Sequence, residues 1–170
     1  NLTGCFAIGI KPSGSQDPYA LRRQALGIVN IILDKGIKLD LKEAIAYAYK
    51  SFSGVAKELE ESQVINELLE FIFLRLRGVL LERGFSYDLI DAVLAKKSGD
   101  IKDIVKRAEA VDDIRQEPWF ADFMVVFNRS NNLSKKWSSQ DIAAEFLIEA
   151  SEKKLYSKFL QVKNEVEDLI

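Results

Sequence analysis

Apolar residues recur at three- and four-residue spacing from about residue 18 to the end, and no stretch alternates convincingly with a period of two. The pattern predicts helices at 18–33, 41–50, 63–83, 87–95, 101–116 and 118–133, and a last one running from 143 or 151 to 169. The fold class is therefore all-α, a helical bundle. In the first helix Leu21, Ala25, Ile28, Val29 and Ile32 make one apolar stripe. The 63–83 stretch carries Val64, Leu68, Phe71, Ile72, Leu76, Val79 and Leu80, a face too wide for a helix with one side in water, so it is expected at the centre of its bundle.

Capping residues punctuate this pattern. Asp17 can cap a helix whose first position is Pro18, where the missing N–H costs nothing. Asp40 precedes Leu41, Ser86 precedes Tyr87, Asp100 has Asp103 three residues on, and Ser138 has Asp141 three residues on. Gly36 and Gly84 fall where a helix end needs positive φ. Gly54, followed by Glu58, Glu60 and Glu61, reads as a joint between two regions, because a glycine turn and like charges pack poorly.

Composition narrows the chemistry. The chain has 170 residues, 48% hydrophobic and 29% charged, enough for one core or two small ones. It has no histidine and a single cysteine, Cys5. That excludes Ser-His-Asp and Cys-His catalysis, His-ligated metal and an intrachain disulfide. There is no GxxxxGK[ST] loop and no strand-borne GxGxxG. Asp112 and Asp113, the obvious carboxylate pair, are adjacent on a helix and point about 100° apart, which suits a solvated face and not acid–base work. The reading is catalytic residues none, metal none. No apolar run approaches the roughly 18 residues of a membrane span, and the expectation is a soluble, cytoplasmic chain.

Charge shapes the binding question. The net charge is −2, and residues 64–170 alone carry 16 Lys and Arg against 19 Asp and Glu, a balance of −3. A nucleic-acid site must then be a local patch. The 128–137 segment qualifies, with Arg129, Lys135, Lys136, three Asn, two Ser and Trp137 and no acidic residue. It could supply phosphate contacts, base-edge hydrogen bonds and stacking, although Asn132 as a helix-end cap and Trp137 as a core residue are the plainer assignments. Arg75 and Arg83, eight residues apart, lie near one line of the central helix, either as RNA contacts or paired with Glu70, Glu82 or Asp88. Arg22 and Arg23 sit unfavourably near a helix start, where an anionic partner would suit them; an ordinary surface pair is the simpler alternative.

Three stretches carry a family resemblance. The first is Gly-Cys-Phe-Ala-Ile-Gly at 4–9 followed by Pro-Ser-Gly-Ser-Gln-Asp-Pro-Tyr-Ala-Leu-Arg-Arg at 12–23. The second spans 64–91, with Asn-Glu-Leu-Leu-Glu-Phe-Ile-Phe at 66–73, Arg-Leu-Arg-Gly at 75–78 and Glu-Arg-Gly-Phe-Ser-Tyr-Asp at 82–88. The third is Phe-Asn-Arg-Ser-Asn-Asn-Leu at 127–133. In this order they resemble the beta subunit of bacterial glycyl-tRNA synthetase. The resemblance implies that residues 1–57 are the end of a helical domain like those of the HD superfamily, and that 62–170 are a DALR-type anticodon-binding helical domain. It also implies that both ends are cut from a longer subunit.

On that resemblance the chain binds tRNA(Gly) and recognises its anticodon, with Arg22, Arg23, Arg75, Arg83, Arg129, Asn132, Lys135, Lys136 and Trp137 as candidate contacts. It would support the reaction of ATP, glycine and tRNA(Gly) to AMP, diphosphate and glycyl-tRNA(Gly). ATP would be used by the alpha subunit, two alpha and two beta chains would assemble, no cofactor would sit in this region, and neither DNA nor membrane would be a partner. The near-neutral charge leaves one alternative, a non-catalytic helical scaffold for protein–protein interaction.

Overall fold

Helices form where apolar residues at helical spacing meet a side chain that can stop or start the backbone ladder. The structure, a computed structural model, describes residues 1–52, 54, 58–135 and 144–168. Its helices are α1 (Leu2–Ala7), α2 (Leu21–Lys35), α3 (Leu41–Lys50), α4 (Glu61–Glu82), α5 (Tyr87–Ala95), α6 (Ile101–Arg115), α7 (Phe120–Ser134) and α8 (Ala150–Glu167), with one 3-10 turn at Ala144–Phe146. Among the described residues there is no β-strand, and only two isolated bridges occur, Ser13 to Gln16 and Asp40 to Asp100. The fold is all-α. No described helix is long and apolar enough to cross a membrane.

The chain divides into two compact units, Asn1–Ala121 and Asp122–Ile170. In the first, α4 is the central helix and packs against α1, α2, α3 and α5, while α6 packs on α2 and α5. Val64, Leu68, Leu76 and Leu80 of α4 are no more than 1% exposed, and they join Phe6, Leu21, Val29, Ile45, Ile90 and Ile104 in one core. The acidic stretch read as a joint lies inside this unit. There the amides of Glu58 and Leu59 donate to the carbonyl of Ala7 at 2.8 and 3.2 Å, and the Tyr49 hydroxyl donates to the Leu59 carbonyl at 2.8 Å. Burial, and then the nearby carboxylates of Glu60 and Glu61, push that phenol above its ordinary pKa.

In the second unit α7 and α8 bury none of their described residues. Glu149 and Glu152 close a reciprocal capping box at the start of α8.

Four local expectations needed correction. Helix α2 starts at Leu21 and not at Pro18, because 17–20 closes as a turn, with the Ala20 amide on the Asp17 carbonyl at 3.0 Å and Ala20 left-handed at φ 52°. Asp17 still caps, taking the Leu21 and Arg22 amides at 2.7 and 2.9 Å. Helix α1 precedes every predicted element, and α4 begins at Glu61, two residues early. Ser86 stands at the start of α5 but makes no side-chain cap; its hydroxyl accepts instead from Arg115 at 2.6 Å. Asp40 and Asp100 cap as expected, and Gly36 and Gly84 take φ of 60° and 94°. The Ser138 and Asp141 start lies outside the described residues.

Candidate nucleic-acid interface

The 11–23 loop is anchored at both ends by its own residues. Ser13 and Gln16 exchange backbone hydrogen bonds at 3.2 and 2.9 Å around Gly14, whose φ of 51° suits a residue without a side chain. Arg22 donates to the Gly14 carbonyl at 2.7 Å. At the other end Lys11 forms an ion pair with Glu67 of α4, and the hydrogen bond from Lys11 is the main reason the Glu67 carboxyl titrates below its ordinary range. The adjacent arginines therefore part roles: Arg22 is half-buried and holds the loop, while Arg23 is exposed and meets no ionic partner among the described residues.

The central helix divides its cations in the same way. Arg75 is half-buried, its guanidinium 4.9 Å from the centroid of the Phe71 ring, and its buried Nε has no hydrogen-bond partner among the described residues. It lines a cleft of about 250 Å³ with Leu26, Asn30, Leu74, Gly78, Val79 and Glu82. Arg77 pairs with Asp91. Arg83, at the C-terminal end of α4, is exposed, and none of the partners expected for it or for Arg75 is taken. Glu70 instead pairs with Lys97 at 3.1 Å, and Asp88 with Arg115 at 3.3 Å. Ser86 first, and then the Arg115 charge, hold the Asp88 carboxyl below its ordinary pKa.

In the second unit Arg129, Asn132 and Lys135 are exposed on the last turns of α7 and just beyond it. Lys135 donates to the Asn132 side-chain oxygen at 3.0 Å, so that oxygen is held by its neighbour. Lys136 and Trp137 lie outside the described residues. Within the first unit, a further group went unread in the sequence: Lys38, Lys102 and Lys106 line one cleft of about 220 Å³ with Asp100 and Asp103. The 102–106 spacing was legible as one helix face. Lys38 reaches it only through the chain reversal after Gly36, where Lys102 donates to the Gly36 carbonyl at 3.1 Å.

Residues 1–95, which hold the 11–23 loop and all of α1 to α5, match the sequence model of the family described as glycyl-tRNA synthetase beta subunit. The chain belongs to that family. It is 49% identical over 166 residues to the glycine–tRNA ligase beta subunit of Syntrophomonas wolfei, covering 98% of this chain and 24% of that protein. It is 44% identical over 171 residues to that of Desulforamulus reducens, covering 100% and 25%. It is 36% identical over 170 residues to that of Clostridioides difficile, covering 100% and 24%. The chain thus spans about a quarter of the length of these relatives. Among the described residues no group of three or more His, Cys, Asp or Glu is placed to hold a metal ion.

Proposed function

We propose that this chain is a tRNA-binding part of a glycyl-tRNA synthetase beta subunit, with residues 62–170 contacting the anticodon region and 1–57 closing the domain before it. The observation that carries the reading is the similarity of nearly the whole chain to relatives named as glycine–tRNA ligase beta subunits. In that role it supports formation of glycyl-tRNA(Gly) from ATP, glycine and tRNA(Gly) in the cytoplasm. The alpha subunit then uses the ATP and assembles with beta as two chains of each.

Exposed cations support the reading physically. Arg23, Arg83 and Arg129 meet no acidic partner among the described residues, so each can turn to a phosphate without breaking an ion pair. The chain has no histidine and no nucleotide loop, so its contribution is affinity and selectivity, and bond making belongs elsewhere in the enzyme.

A mobility-shift titration with tRNA(Gly) and a non-cognate tRNA at two salt concentrations tests this. Binding that falls with salt and favours tRNA(Gly) is expected. No shift with either tRNA at about 100 µM chain, where even non-specific binding registers, would leave the scaffold reading.

A further inference from the structure

Lys38, Lys102 and Lys106 bring three ammonium groups to a single cleft of the first unit. Lys102 and Lys106, four residues apart, share a face of α6, and Lys38 arrives from the turn between α2 and α3. Both walls are fixed. The Gly36 and Ile37 amides return to the Leu33 and Ile32 carbonyls at 3.3 and 3.0 Å, which closes α2 and turns the chain back. The Leu41 amide then ties that turn to the Gly99 carbonyl, just before α6, at 3.0 Å. The two carboxylates in the cleft are already committed. Asp100 takes the amides of Lys102 and Asp103 at 2.9 and 3.1 Å, so its charge is set against the start of α6, and Asp103 accepts from Arg107 at 2.7 Å. None of the three lysines forms an ion pair among the described residues, and Lys102 donates to the Gly36 carbonyl at 3.1 Å.

We propose that this cleft grips the phosphate backbone of double-stranded RNA, a stem of the tRNA in the function proposed above, on which the inference rests. The chemistry of the lining selects the ligand. All five lining residues are charged and none is aromatic, so an unpaired base finds nothing there to stack on. Lysine is a compact, strongly hydrated point charge, depleted where protein meets protein and well matched to phosphate. The α6 start is closed by Asp100, so the lysine side chains and not the helix amides must hold the anion. Charges carried by two elements can meet successive phosphates of one strand, and such contacts position a duplex without reading its sequence. The first unit thus adds a sequence-independent grip to the base-reading contacts assigned to the 128–137 segment.

Mobility-shift titrations of the whole chain with tRNA(Gly) and with a short RNA duplex of unrelated sequence, from about 50 to 200 mM salt, read the proposal. Lys38 and Lys106 are exposed, so replacing them leaves the circular dichroism unchanged. Lys38→Gln with Lys106→Gln should weaken binding to both RNAs about tenfold and lower the steepness of the salt dependence by about two phosphate contacts. Lys38→Arg with Lys106→Arg should bind both RNAs within about threefold of the parent, since charge is what the contact needs. Lys50→Gln with Lys96→Gln removes the same charge from exposed positions outside the cleft and should also stay within about threefold. Inorganic phosphate at about 10 mM, at matched ionic strength, should displace neither RNA, because a single anion lacks the linked contacts of a strand. A cleft Gln pair that keeps the parent's affinity and salt slope overturns the proposal and leaves the tRNA-binding reading standing. So does a loss just as large from the Lys50 and Lys96 pair. Displacement by inorganic phosphate would make the cleft a free-anion site and overturn the backbone assignment. A parent chain that binds neither RNA overturns both the proposal and the reading beneath it.

Discussion

Asp40 and Asp100 stand across an antiparallel bridge, and each caps the helix that follows it. Asp40 takes the Lys42 and Glu43 amides at 2.7 and 3.4 Å, and Asp100 takes those of Lys102 and Asp103 at 2.9 and 3.1 Å. The Leu41 amide donates to the Gly99 carbonyl at 3.0 Å, so the starts of α3 and α6 are tied through backbone. Gly99 lies hard against this pair: a Cβ added there would meet the Asp40 carboxylate, with Cγ at 2.7 Å and Oδ2 at 2.9 Å.

Asp40→Ala should cost about 1 kcal/mol of stability, the worth of a cap. Gly99→Ala should cost more, because the methyl group displaces the carboxylate and removes the same cap under strain. In the double variant the carboxylate is gone and the methyl group has room, so the two costs should not add. Urea unfolding of the four proteins measures the coupling, and strict additivity would show that the contact is not felt.

The Lys11 and Glu67 pair gives a pH prediction. The folded Glu67 carboxyl titrates below its unfolded value, so its contribution is present above about pH 4.3 and is lost as pH falls through the lower folded value. Lys11→Ala should lower the melting temperature at neutral pH, and the difference from the parent chain should shrink at a pH below the ordinary carboxylate range. Equal differences at both pH values would assign the effect of Lys11 to packing.

The shared core of the first unit predicts one transition. Leu76 is fully buried on α4, between helices that precede and follow the 58–60 stretch. Leu76→Ala should cost about 2–5 kcal/mol. Hydrogen exchange should show the amides of α2 and α3 losing protection together with those of α4 to α6. Separate loss would mean that the two sets of helices fold independently.

What the sequence revealed follows from how local each cause is. Helix α4 was legible because eight buried positions repeat along 22 residues. Asp40 and Asp100 were legible because their ligands are amides two and three residues on. Helix α1, at six residues, is too short to show a period, and it is held by burial of Leu2 and Phe6 against elements far along the chain. Ser86 has the right place for a cap, but a guanidinium 29 residues away takes its hydroxyl. The candidate cations were found as residue types only. Which of them are occupied, as Arg22 is by the Gly14 carbonyl and Arg75 by the Phe71 ring, depends on tertiary neighbours that spacing does not encode.

That difference in occupancy orders the expected effects on tRNA binding. Arg129 is exposed and meets no acidic partner among the described residues, so Arg129→Ala should weaken binding by about 1 kcal/mol and flatten its salt dependence, for cognate and non-cognate tRNA alike. Lys135 is tethered to Asn132 at 3.0 Å and must leave that amide to reach a phosphate, so its removal should cost less. Asn132→Ala should instead reduce the preference for tRNA(Gly) more than the overall affinity, since an amide reads base edges. Arg22→Ala should loosen the 11–23 loop and lower the melting temperature, whereas Arg23→Ala should leave stability unchanged and act on binding alone. Binding constants at two salt concentrations with both tRNAs, beside thermal melts of each variant, make the comparison. Equal loss of binding from Arg22→Ala and Arg23→Ala with no change in stability would refute this division of roles, and parent-like binding by all five variants would place the tRNA contact elsewhere in the chain.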